Sequence, residues 1–96
     1  MKKRHDLDAL GRQISKIDIS VMALLEKRFR LVRQVAQCKI KNEQKLIRLD
    51  VEKQRLDAVM AWAKTHDMDP NFAAQILYSI INESCKQQLA ELQKSR

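Results

Sequence analysis

The sequence predicts an all-α fold, a three-helix chain with a very long first helix, assembled as an intertwined homodimeric helical bundle. Three observations carry this. The 96 residues hold one glycine (Gly11), one proline (Pro70) and few aromatics, which favours helix over a β-sandwich or barrel. Apolar residues recur in steps of three and four along each segment. The first stripe is also too long for one small chain to cover. A length of 96 residues suits a single domain, 1–96, with one modest core.

The first helix is expected over about 6–41. Leu7, Leu10, Ile14, Ile17, Val21, Leu24, Leu31, Val35 and Cys38 form a heptad stripe with one vacancy, which Arg28 fills. Such a helix is roughly 50 Å long at 1.5 Å per residue. A second subunit is the natural cover for a stripe of that length. Asn42-Glu43-Gln44-Lys45 is a polar break. The second helix is expected over about 47–65, with Leu49, Glu52, Leu56, Val59 and Ala63 on its inner face, Glu52 being the exception. His66-Asp67-Met68 reads as a turn. Asp69 as N-cap and Pro70 at the first helical position open a third helix over about 70–92. Its inner face runs Ala73, Ile76, Leu77, Ile80 and Ile81, then continues into Ser84 and Gln88. Met22, Met60, Trp62 and Tyr78 read as core or rim residues.

Nineteen basic and twelve acidic residues give a formal charge of +7. That suits an anionic partner. The one basic cluster, Lys2-Lys3-Arg4, reads as a solvated tail. Nucleic acid is not expected as a partner, because charge alone supports it, with neither a recognised motif nor an aromatic platform. Cys38 and Cys85 lack metal-type spacing and read as free thiols in a reducing cytoplasm. No acidic metal cluster and no glycine-rich phosphate loop is present. There is no apolar run of about 18 residues and no apolar signal core behind the charged N-terminus. No membrane association is expected, and a cytoplasmic protein is. His5 and His66 fall in end or turn segments, so nucleophilic catalysis has little support.

Five polar residues sit on or beside the apolar stripes: Arg28, Lys39, Glu52, Ser84 and Gln88. Charged groups on the inner face of a small bundle are costly unless paired or liganded. Arg28 and Lys39 are eleven residues apart, about three helical turns, and project from nearly one face. Ser84 and Gln88 are four apart and also share a face. Two cations, a carboxylate, a hydroxyl and an amide make a site for an anion that also carries hydroxyl or ether oxygens. Each residue also has a plainer role. Arg28 can form a structural salt bridge, Lys39 and Glu52 can be solvated or paired along their helices, and Ser84 and Gln88 can be half-exposed near a helix end.

The stretches Leu7–Asp18, Leu24-Leu25-Glu26-Lys27-Arg28 and Val35-Ala36-Gln37-Cys38-Lys39 resemble the long first helix of the all-helical (AroQ-class) chorismate mutases. Asp69-Pro70-Asn71-Phe72 and Ile80 to Gln88 resemble that family's third helix, with its Ser and Gln. The resemblance covers about Leu7 to Gln88. It implies a dimer with two equivalent pockets, each built from both chains, and rearrangement of chorismate to prephenate by a non-covalent [3,3] shift, without cofactor or metal. This is a step of aromatic amino-acid biosynthesis, in the shikimate pathway. The substrate is a small dianion. By resemblance Lys39 and Gln88 donate to the ether oxygen, Arg28 binds a carboxylate, Glu52 accepts from the ring hydroxyl, and Ser84 lies beside a carboxylate.

The chain departs from the pattern at two cations. Gly11 stands where the family carries an arginine, and Arg12 points about 100° away around the helix. Val51 precedes Glu52 where the family has an Arg-Glu pair. A one-residue shift of the loop instead places Arg48 at a family basic position but loses the match at Glu52. Arg48, or Arg4, is a candidate substitute. Two missing or displaced cations imply weakened activity. Alternative readings are a related enzyme on isochorismate or 4-amino-4-deoxychorismate, and a non-catalytic family member acting as a dimeric binding protein.

Overall fold

The computed structural model describes the backbone from residue 2 onward and side chains from Asp6 onward. The side chains of Arg4 and His5, and the tail charges at Lys2 and Lys3, lie outside the described residues. Three helices follow one another: α1 (Lys2–Lys41), α2 (Leu49–Lys64) and α3 (Pro70–Lys94). No strand occurs among the described residues. The helices match the expected three, with α1 starting earlier and α2 two residues later than the pattern suggested.

Two compact units divide the chain, Met1–Arg30 and Leu31–Arg96. Among its described residues the first contains only helix. Arg30 holds Glu26 one turn earlier at 2.6 Å, an exposed ion pair of modest worth. Ala9, Leu25, Arg28 and Phe29 are half-buried. The apolar stripe is open in the isolated chain: Leu7 is 69% exposed, Ile17 60% and Leu24 67%.

The second unit holds the end of α1, then α2 and α3. Glu52 near the start of α2 meets Cys85 late in α3, so these two helices run antiparallel. Ala36, Ala63, Ala73 and Ile81 form the buried core. Alanine at three of these four positions lets backbones approach closely, and among the described residues no large side chain is fully buried. The expected inner faces of α2 and α3 hold at Leu56, Val59, Ala63, Ala73, Leu77, Ile80, Ile81, Ser84 and Gln88, all buried or half-buried. Leu49 and Ile76 are exposed instead. So are Met22, Trp62 and Tyr78, which the sequence placed in the core or rim. Trp62 instead stacks on His66, with ring centroids 3.9 Å apart and planes 6° from parallel.

Both interhelical turns are built alike. The Gln44 N–H returns to the Lys39 carbonyl and the Glu43 N–H to that of Ile40, a Schellman ending with Glu43 at φ 55°. The Met68 N–H likewise returns to Ala63, with Asp67 at φ 54°. These are left-handed positions that glycine normally fills. Asp69 caps α3 as expected, its carboxylate accepting from the Asn71 N–H at 3.0 Å.

Candidate functional site

The ending of α1 turns the chain back across its own last turn and brings residues 44–48 over Lys39. The half-buried Lys39 ammonium donates to the Leu46 carbonyl at 2.7 Å. It also donates to Gln88 Oε1 at 3.4 Å. α1, the loop and α3 are thus joined at one cation. An open cleft of about 300 Å³ lies beside it, lined by Lys39, Gln44, Lys45 and Arg48. That lining holds three cations and no carboxylate.

Glu52, half-buried on the first turn of α2, accepts from the Cys85 thiol at 3.4 Å. Burial pushes the Cys85 thiol up, the bond to Glu52 and its charge push it further, and Lys39 opposes them. A thiol held protonated beside a carboxylate is a poor nucleophile. Ser84, buried one turn before Gln88, donates back to the Ile80 carbonyl at 2.8 Å. The Gln88 amide oxygen faces Lys39, and among the described residues its NH₂ makes no hydrogen bond, so it remains available as a donor.

Arg48 is exposed just before α2. Its Nε donates to Asp50 Oδ1 at 3.2 Å and its Nη2 to Oδ2 at 2.9 Å. This two-point pair lowers the Asp50 carboxyl and raises the Arg48 guanidinium. Lys39, Glu52, Ser84 and Gln88 therefore gather in the second unit with Arg48 at the cleft rim. Arg28 belongs to the first unit, where it is half-buried. Gly11 is exposed there too, and a Cβ added to it meets open space.

Several contacts in and around this site were not read from the sequence. Lys45 and Gln44 were read only as a polar break, yet they line the cleft. Cys85 touches a residue 33 positions away, and no local pattern announces that. Glu91 is buried, accepting from Gln37 at 3.2 Å and from Lys94 at 3.5 Å. It is the next step of the Ser84–Gln88 stripe, a signal that was readable. Arg33 donates to Gln87 at 2.8 Å, a second polar tie between the end of α1 and α3.

The arrangement suits binding and orienting an anion, with donors aimed at oxygen and a carboxylate at hand. The hydroxyl of Thr65 lies 3.0 Å from His66 Nδ1 at the exposed end of α2 remote from the cleft, and the Cys85 thiol is held protonated beside Glu52, so neither offers the cleft an activated nucleophile. A family model described as chorismate mutase type II matches residues 10–89. The chain is 32% identical over 94 residues to a bifunctional chorismate mutase/prephenate dehydratase of Buchnera aphidicola subsp. Schizaphis graminum (strain Sg). It is 29% identical over 94 residues to the protein of that name from Escherichia coli (strain K12), and 28% over 95 residues to that of Enterobacter agglomerans. These matches cover 98–99% of this chain but 24% of each relative.

Proposed function

The chain belongs to the chorismate mutase type II family, and from that premise we propose that it rearranges chorismate to prephenate. The reaction needs no covalent step. The protein must hold a dianion, fold its enolpyruvyl arm over the ring, and stabilise negative charge growing on the ether oxygen as the carbon–oxygen bond breaks. Lys39 and the Gln88 amide are the donors at that oxygen. Glu52 accepts from the ring hydroxyl. Arg28, Ser84 and Arg48 hold the carboxylates.

One observation carries this reading: Lys39 Nζ and Gln88 Oε1 lie 3.4 Å apart beside a cation-lined cleft. Accepting from Lys39 through its oxygen leaves the Gln88 NH₂ for the substrate. Gly11 and Val51 remove two cations, so turnover is weak for this family.

The active form is a homodimer. The exposed stripe from Leu7 to Leu24 supports it, because an apolar face of that length is stable only when covered. Each pocket draws on both chains. Among the described residues no helix is long and apolar enough to cross a membrane, and the cytoplasm is the expected compartment.

The test is incubation of purified protein with chorismate, isochorismate and 4-amino-4-deoxychorismate, with products separated by chromatography. Prephenate from chorismate is expected. Turnover of another of the three transfers the reading to that substrate. No turnover of any leaves a dimeric binding protein. Light scattering tests the pairing, and a monodisperse monomer removes it.

A further inference from the structure

The cleft holds one cation, Lys45, that the proposed reaction does not use, and a second, Arg48, that is already paired within the chain. Lys39 spends two of its three N–H donors on the Leu46 carbonyl at 2.7 Å and the Gln88 amide at 3.4 Å, and the third is assigned to the ether oxygen. A doubly negative ligand placed there needs further cations, and the lining supplies Lys45 and Arg48 with no carboxylate between them. These two are not on a loose segment. The Gln44 N–H is bonded to the Lys39 carbonyl, and the Leu46 carbonyl is bonded to the Lys39 ammonium. The backbone is therefore fixed on both sides of Lys45, which keeps that side chain within reach of the cleft. Arg48 differs, because its guanidinium fork is already filled by Asp50 at 2.9 and 3.2 Å. That fork is the geometry a ligand carboxylate would take.

We infer that residues 44–48 form a carboxylate-holding arm of the cleft, in which Lys45 binds ligand directly and Asp50 is a built-in competitor for Arg48. The inference rests on the reaction proposed above for its ligand, a small dicarboxylate. Binding draws Arg48 from Asp50 to the ligand, exchanging one two-point carboxylate pair for another. Asp50 thereby sets affinity without touching the ligand. Both Lys45 and Asp50 are exposed, so substituting them leaves the core intact.

Steady-state kinetics with chorismate on four variants of the full chain test this. Lys45→Gln is expected to raise KM about tenfold or more, with kcat within about twofold, as for loss of a charge-assisted bond to substrate. Lys45→Arg should restore KM to within about threefold of wild type. Asp50→Asn should lower KM about two- to fivefold, the range of an exposed ion pair. That gain should vanish when Arg48→Gln is added. Wild-type turnover with KM unmoved by Lys45→Gln and by Asp50→Asn overturns the inference and leaves the proposed reaction standing. If the wild type turns over no chorismate, the reaction fails and the arm is still decided by titration with malonate, followed through backbone amide shifts. Shifts at Gln44, Lys45 and Arg48 that Lys45→Gln abolishes support the arm. Their absence in wild type overturns it.

Discussion

Replacing Lys39 by alanine is the sharpest probe of the site, because one ammonium makes two separable contributions. It is a donor to the breaking carbon–oxygen bond in the proposed reaction. It also ties the loop through Leu46 at 2.7 Å and orients Gln88 at 3.4 Å. A preorganised donor at a developing oxyanion contributes about 10²–10³ in kcat, or about 2.7–4 kcal/mol. The tie to Leu46 is a hydrogen bond to a charged group, about 1.5 kcal/mol at the lower end of its range because Lys39 is only half-buried. Loss of that tie loosens the cleft wall and enters KM. At 1.36 kcal/mol per decade the two together predict a fall in kcat/KM of about 10³–10⁴. Prephenate formation by Lys39→Ala, with kcat and KM resolved, measures this. Light scattering on the same sample should show the oligomeric state unchanged. Activity within tenfold of wild type would remove Lys39 from the reaction and with it the reading of the Lys39–Gln88 contact.

Three further outcomes are expected. Gly11→Arg with Val51→Arg should raise kcat/KM for chorismate at least about tenfold, since each arginine restores a bond to charge of about 1.5–3 kcal/mol, and the space beside Gly11 is open; unchanged turnover would refute the account of the missing cations. Glu43→Gly should stabilise the protein by about 0.5–1 kcal/mol, the relief of a left-handed residue at φ 55° less the backbone entropy of glycine. A urea midpoint followed by Trp62 fluorescence reads it, and a lower midpoint would mean that Glu43 makes an offsetting interaction. Glu91 titrates below the usual carboxylate range, first through its bond from Gln37 and then through Lys94. A depressed carboxyl stabilises above its unfolded pKa, and that stability is lost as pH falls through the folded value. Glu91→Gln should therefore flatten the acid side of a stability–pH curve, and an unchanged acid limb would count against the Gln37 contact.

The helices were legible because their signals are local. Asp69 and Pro70 specify the start of α3 by side-chain chemistry alone, and the cap forms as expected. Glu52, Ser84 and Gln88 stand out in the sequence because polar atoms on an apolar stripe need a reason to be there, and all three are buried or half-buried. The periodicity of α1 was clear, but periodicity does not say which molecule covers a stripe. Within the second unit the deeply buried residue of α1 is Ala36, which no hydrophobic pattern emphasises. The cleft was the hardest to see. It depends on Glu43 taking a left-handed turn and on a lysine reaching a backbone carbonyl, and neither follows from residue type.

The open apolar stripe of the first unit bears on any survey of substitutions. Judged by one copy alone, Leu10, Ile14 and Ile17 rank as surface, each more than half exposed. In the proposed homodimer they become interior, and aspartate at any of them should then be tolerated worse than at Ile76 or Tyr78. A tolerance map of this protein would then trace the outline of the proposed partner copy.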